Sequence, residues 1–246
     1  MKVIILAGGL GTRLGEHTKS TPKPMVKIGK FPIIIHIMKH YLDYGFNDFI
    51  IAGGYKIRTL QDYFSNFKKN GKSFNYKIKN KSCAVNIVNT GNKTMTGGRI
   101  KRLKYFFNPN ENFMLTYGDG VSNVNLKNLL KFHNKKKKII TVTAVRPPAR
   151  FGEIIIKKDL ATSFKEKPQV SNSWINGGFF VANYSFFDFI KNDQTILEKS
   201  PLEKLCKKKQ LSVFQHSGFW KCMDTIRDRD DLIKRLKKKE FGFNAR

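Results

Sequence analysis

At 246 residues the chain is long enough for one α/β domain with a substantial core, and it has no apolar stretch of the length that crosses a bilayer. Its three cysteines, Cys83, Cys206 and Cys222, lack zinc-like spacing and suggest no disulfide framework, so a reducing, cytoplasmic setting without membrane attachment is expected. The formal charge of +29 is spread over lysines along the whole chain with no nucleic-acid-binding motif beside it, so solvated lysine faces are expected rather than a specific nucleic-acid partner.

The apolar run Val3–Leu6 reads as a buried strand rather than a signal peptide, and Gly8, Gly9 and Gly11 open a loop at its carboxyl end. Glycines let backbone N–H groups approach a ligand and form an anion-binding nest. Arg13 adds a fork suited to phosphate, and Lys23, held in Pro22-Lys23-Pro24, adds a point charge on a stiff segment. The loop is not a Walker motif, because no Gly-Lys-Ser/Thr follows, and Leu14 stands where a dinucleotide fingerprint needs its third glycine. A plain strand-to-helix connection is the alternative. Arg13 and the Pro-Lys-Pro segment favour a nucleoside triphosphate site at the carboxyl edge of a sheet.

Further along, Phe31–Tyr44 has helical spacing and ends at Gly45, Asp48–Ala52 reads as a strand, and Lys56–Phe67 as a helix. That alternation implies parallel strands with crossover helices. Val85–Val88 is a short strand and Gly98–Phe107 a helix. Phe113–Thr116 is a strand delivering Gly118-Asp119-Gly120 to its carboxyl end, followed by a helix over Val124–Phe132 and a strand over Ile139–Val145. From Phe151 the pattern turns β-rich, with strands at Glu153–Ile156, Ala161–Glu166 and Trp174–Ala182. Pro201–Lys209 is a helix, Leu211–His216 a strand and Arg227–Lys239 a basic closing helix.

A nucleoside triphosphate site needs its phosphate charge neutralised, and carboxylates holding a magnesium ion suit that task. Asp119, between glycines after an apolar strand, is one candidate; an Asx turn is its alternative. Asp224 is the second; locally it also reads as the N-cap of the helix beginning near Ile226. Lys167 lies at a strand end before Pro168 and, in so basic a chain, reads better from its own surroundings as an exposed lysine. Asn176-Gly177-Gly178 offers an amide beside approachable backbone, or a β-bulge. Arg99 falls in the first turn of its helix, where the dipole does not favour a cation, which supports a ligand role.

The pattern Gly8-Gly9-Leu10-Gly11-Thr12-Arg13-Leu14 followed by Pro22-Lys23-Pro24 resembles the sugar-1-phosphate nucleotidyltransferases. These enzymes join a nucleoside triphosphate to a sugar 1-phosphate and release pyrophosphate. The likeness runs through Thr96–Arg99, Thr116–Gly120, Arg150–Gly152, Phe164–Pro168, Trp174–Phe180 and Gly218–Thr225, nearly the whole chain. Met95–Arg99 and Tyr117–Gly120 point to the CDP-glucose-forming cytidylyltransferase branch.

The resemblance implies a Rossmann-like open mixed sheet flanked by helices, of the glycosyltransferase-A-like nucleotidyltransferase kind, with a small β-rich sugar-binding lobe. It divides a single domain into a nucleotide part over 1–145, a sugar part over 146–226 and a basic tail over 227–246. It implies CTP and α-D-glucose 1-phosphate as substrates, with Mg2+ on Asp119 and Asp224. Leu6, Ala7, Gly8, Gly9, Leu10, Gly11, Thr12, Arg13, Lys23, Thr94, Arg99 and Gly118 fall on its nucleotide positions. Among these Arg13 and Lys23, with Asp119, are the catalytic set, while Glu166, Lys167, Asn176 and Gly177 fall on the sugar-phosphate site.

Three segments depart from the branch, one of them the divergent and unusually basic tail after Thr225. Residues 74–88 form a stretch shorter by roughly ten residues, in a region that helps build a homo-oligomer there. Lys221-Cys222 stands where the branch has Gln-Pro, so proline rigidity is lost beside Asp224. The competing readings are the same chemistry with another base or sugar phosphate, or a non-catalytic regulatory subunit. The latter would lack an aspartate or the loop arginine, whereas Arg13, Lys23, Asp119, Lys167 and Asp224 are all present.

Overall fold

Every side chain from Val3 to Ala7 in β1 (Lys2–Ala7) is buried, so this strand needs cover on both faces. Alternate residues supply two cores: Val3, Ile5 and Ala7 enter one hydrophobic cluster, Ile4 and Leu6 the other. The computed structural model describes residues 1–11, 14–15, 18, 21–65, 69–70, 73–78, 81–147, 153–165 and 173–238.

After β1 come the small hairpin β2 (Lys27–Ile28) and β3 (Phe31–Pro32), then α1 (Ile33–Asp43), β4 (Asp48–Gly53) and α2 (Ile57–Ser65). The strands β5 (Lys69–Asn70), β6 (Ser73–Ile78) and β7 (Lys81–Asn89) lead to α3 (Thr96–Lys101), β8 (Asn112–Tyr117), β9 (Gly120–Ser122) and α4 (Leu126–Lys136). Then follow β10 (Ile140–Val145), β11 (Glu153–Lys157), β12 (Leu160–Lys165), β13 (Ile175–Asn183), α5 (Ser200–Lys207), β14 (Leu211–His216), β15 (Trp220–Cys222) and α6 (Ile226–Lys237).

Among the described residues nine strands form one mixed sheet in the order β14-β10-β13-β8-β1-β4-β7-β6-β5. β1 runs parallel to β4 and β8, and β4 parallel to β7; β13 lies antiparallel between β8 and β10. One face is covered by Ile34, Ile37 and Tyr41 of α1, Leu60 and Phe64 of α2, Leu129 of α4 and Leu232 of α6. The other is covered by Ile100 of α3, Leu205 of α5, Phe186 and Phe187 of the 3-10 helix Tyr184–Phe189, and Leu197. This is the open mixed sheet flanked by helices that the sequence led us to expect.

Three stretches differ from the sequence reading. The expected helix over Gly98–Phe107 begins earlier, at Thr96, and stops at Lys101, with a separate 3-10 turn at Lys104–Phe106. Gly97 and Gly98 lie inside it because the helix docks on the 193–195 segment: both amides donate to the Thr195 carbonyl, at 2.9 and 3.2 Å, and a Cβ on either would strike that backbone. The strand expected at Val85–Val88 is the end of a nine-residue strand that pairs with β6 in a hairpin. The β-rich stretch from Glu153 divides. β11 and β12 form a two-stranded sheet of their own, with Ile154, Ile156, Leu160 and Phe164 exposed, whereas β13 inserts into the main sheet.

Two buried histidines brace the helices against the sheet. His40 of α1 lies 2.9 Å from the Val124 carbonyl and His133 of α4 lies 2.8 Å from Thr141 Oγ1. Burial pushes both imidazoles down from 6.5 to about 4. Between those values the unfolded chain binds protons that the folded chain refuses, so stability falls as pH drops below about 6.5 until the folded rings titrate. From pH 7 to pH 5 the expected loss is about 2 kcal/mol per histidine, read from urea unfolding midpoints. A midpoint unchanged across that range would contradict the neutral, buried assignment.

Candidate active site

The carboxyl ends of β1, β4, β7 and β8 reach the same sheet edge, as the registers Ala7↔Gly53, Gly53↔Asn89 and Leu6↔Tyr117 require. β13 runs the other way, so its amino end, with Asn176 and Gly177, joins them. The chain leaves β1 toward β4 on one side and returns as β8 on the other. The crevice above Gly8 is therefore a switch point of the sheet, where α/β proteins bind ligands.

Arg99 fixes this edge. Its side chain is buried, and Nη2 donates to the Gly8 carbonyl at 2.8 Å. Nη1 donates to the Gly53 carbonyl, Thr90 Oγ1 and the Gly91 carbonyl at 3.2, 2.7 and 2.7 Å. One guanidinium thus ties the glycine loop to the ends of β4 and β7. Burial and the nearby Arg102 lower its pKa from the ordinary value. A methyl group on Gly8 or Gly54 would overlap the guanidinium, so these glycines leave room for it.

Lys23 is presented by a 3-10 turn, Lys23–Met25, closed by the Met25 amide on the Pro22 carbonyl at 2.8 Å. Its stem packs on Gly11, whose positive φ of 66° favours glycine and whose added Cβ would press on the lysine. Nζ reaches Asp119 Oδ2 at 2.6 Å and Asp224 Oδ1 at 2.7 Å. Burial works against the ammonium charge, but Asp119 and its neighbours outweigh it and raise the Lys23 pKa above the ordinary lysine value.

The two aspartates lie 105 positions apart in sequence yet share one short ribbon. β9 pairs antiparallel with β15 in the register Cys222↔Gly120 and Trp220↔Ser122, and the Met223 amide donates to the Asp119 carbonyl at 2.9 Å. Asp119 precedes β9 and Asp224 follows β15, so both carboxylates emerge at the same end. Asp224 is not the helix cap. Thr225 takes that role, accepting from the Asp228 amide in a capping box.

One oxygen each from Asp119 and Asp224, with Cys222 Sγ, lies within 4.8 Å of the others. Burial, then Asp119 and other acids, pushes the Cys222 thiol up, so it stays protonated beside them. Two carboxylates already closed on an ammonium form a donor set that suits a divalent cation. Behind them Lys221 bridges Asp228 at 3.1 Å and Asp231 at 3.3 Å, tying β15 to α6.

Beside this seat Tyr117 accepts from Asn176 Nδ2 at 3.1 Å and donates to Glu198 Oε1 at 2.5 Å, while Thr96 donates to Glu198 Oε2 at 2.9 Å. Burial and the Glu198 charge raise the Tyr117 pKa, keeping the hydroxyl neutral. Trp220 Nε1 donates to the Gly177 carbonyl at 2.7 Å, linking the ribbon to β13.

Of the residues singled out in the sequence, Lys23, Asp119 and Asp224 meet directly. Gly8 and Arg99 form the brace beside them, and the Gly118 amide donates to the Leu6 carbonyl at 2.9 Å. Leu6, Ala7 and Thr94 are buried, whereas Gly9 and Leu10 are exposed. Thr12, Arg13, Glu166 and Lys167 lie outside the described residues. The sequence reading missed Tyr117 and Glu198 as partners. Tyr117 sat within a quoted motif, but Glu198 belongs to none.

The brace carries a stability prediction. Arg99→Ala removes four hydrogen bonds from a buried site and is expected to cost about 3 kcal/mol by urea unfolding. Arg99→Lys, without the fork, is expected to recover little of it. Gly8→Ala should also destabilise, although it removes no bond. An Arg99→Ala change below roughly 0.5 kcal/mol would rule out the brace.

Comparison with known proteins agrees with this geometry. The nucleotidyl transferase family matches residues 2–228. Glucose-1-phosphate cytidylyltransferase of Salmonella typhimurium is 44% identical over 239 residues, 93% of each chain. The probable glucose-1-phosphate cytidylyltransferase of Bacillus subtilis is 38% identical, again over 93% of each. The crystal structure of HddC from Yersinia pseudotuberculosis superposes with a TM-score of 0.72 at 22% identity, covering 96% of this chain and 99% of that one, and so shares the fold. With a family match over most of its length, and with the glycine loop, the basic turn and the paired carboxylates meeting at one sheet edge, the chain belongs to the nucleotidyl transferase family.

Proposed function

We propose that the protein transfers the cytidylyl group of CTP to α-D-glucose 1-phosphate, giving CDP-glucose and pyrophosphate. The observation that carries this reading is the seating of Lys23 between Asp119 and Asp224, beside the glycine loop at the switch point. The base and the sugar rest on likeness to the two cytidylyltransferases above.

In this reading a phosphate oxygen of glucose 1-phosphate attacks the α-phosphorus of CTP, and the bond to the β-phosphate oxygen breaks in line with it. The backbone of Gly8, Gly9 and Gly11, with Arg13 and Thr12, receives the triphosphate. Leu6, Ala7, Leu10, Thr94 and Gly118 shape the pocket around it. Arg99 serves the nucleotide through the loop it holds, since four acceptors already take its guanidinium.

A magnesium ion bound by Asp119 and Asp224 would neutralise phosphate charge and hold the α-phosphate for in-line attack. Lys23, released from the carboxylates, is free to pair with phosphate oxygens. Asn176 and Gly177 line the sugar side, and Tyr117 with Glu198 holds the Asn176 amide in a fixed orientation. Glu166 takes sugar hydroxyls and Lys167 the sugar phosphate.

The test is pyrophosphate release with CTP, UTP, dTTP, ATP and GTP, each with glucose 1-phosphate and magnesium. Turnover is expected with CTP alone. Asp119→Ala, Asp224→Ala and Lys23→Ala should each lower kcat roughly a hundredfold or more, and a chelator should abolish turnover. Turnover with a different nucleotide would move the base assignment. Full activity of Asp119→Ala would overturn the assigned role of the carboxylates.

A further inference from the structure

We propose that Cys222 makes the Asp119–Asp224 seat a mixed thiolate–carboxylate site, which takes zinc, cobalt or cadmium through a metal–sulfur bond. This rests on the reading of Asp119 and Asp224 as the cation site.

Three observations carry it. First, Cys222 Sγ lies within 4.8 Å of the ligand oxygens of both aspartates. Metal–sulfur bonds of about 2.3 Å and metal–oxygen bonds of about 2.1 Å put tetrahedral ligand atoms about 3.6 Å apart, so a pair at the 4.8 Å limit closes by about 1.2 Å to take the ion. Second, the backbone holds the sulfur there. Cys222 ends β15 opposite Gly120, next to Asp119, and stands two residues before Asp224 on the same ribbon. Third, a cation already rests between the two carboxylates: Lys23 Nζ touches both, at 2.6 and 2.7 Å.

The chemistry divides by softness. Magnesium takes oxygen ligands and leaves the sulfur aside. Zinc, cobalt and cadmium accept thiolate, so for them Cys222 adds a third protein ligand. The metal displaces the thiol proton to solvent and the Lys23 ammonium from between the carboxylates, and no oxidation is involved.

The experiment uses the full chain without nucleotide, titrated with Co2+. Binding is followed by calorimetry and by sulfur-to-cobalt charge-transfer absorption. The expected result is one cobalt per chain with a thiolate band that disappears in Cys222→Ser and Cys222→Ala and persists in Cys206→Ser. Cys222→Ser should weaken Co2+ and Zn2+ binding by roughly tenfold or more. Its Mg2+ affinity should stay within about threefold of the parent. Asp224→Asn should weaken all three ions. Cobalt bound without the band, or a band unchanged in both Cys222 variants, would overturn the thiolate assignment and leave the carboxylate site standing. No cobalt bound at all would overturn both. Absence of the band in the parent protein overturns the thiolate assignment even where a variant fails to fold.

Discussion

Two aspartate carboxylates held this close repel each other, and the local architecture answers that repulsion. Lys23 lies between them as a built-in counter-charge. The ammonium needs its own position fixed, or the three charges would find other partners in so basic a chain. The turn between Pro22 and Met25 supplies that, with Gly11 packed against the lysine stem. The glycine loop, the basic turn and both acids are thus one electrostatic unit, although they come from three distant parts of the sequence.

Backbone pairing does the rest. The ribbon of β9 and β15 carries both aspartates as a single piece, so their separation is set by a register rather than by two independent loops. Arg99 does the same for the other wall. By bonding carbonyls at the ends of β1, β4 and β7, it makes the loop over Gly8 part of the sheet instead of a free connection. A phosphate site made of backbone amides works only if those amides are already aimed. A buried cation bonded to carbonyls behind the loop is one way to aim them.

Much of this was legible in the sequence. The alternation of apolar strands with helices gave the order of the main elements, and glycines marked the carboxyl ends where the site lies. Asp224 was ambiguous because a carboxylate before a helix is a good cap. The ambiguity ends with Thr225, which does that work with Asp228. Arg99 looked like a ligand because the helix dipole gave it no local reason to be there. The reason lies in carbonyls up to 91 residues away, which no local pattern reveals. Glu198 was invisible for a similar cause: it is a lone acid whose partners Thr96 and Tyr117 come from other elements. The hairpin of β6 and β7 was only half seen: Phe74, Tyr76 and Ile78 alternate with polar residues in β6, a period-two signal that the sequence reading passed over.

Lys221 sets the ribbon's stiffness through its ion pairs with α6. This chain anchors β15 by placing Lys221 between Asp228 and Asp231 of α6. A proline ring restrains the backbone whatever the solvent contains. Partly exposed ion pairs do not, because added salt screens them. The order of the segment carrying Asp224 is therefore coupled to ionic strength, so the dissolved ions around this protein help set how firmly one wall of its cation seat is held.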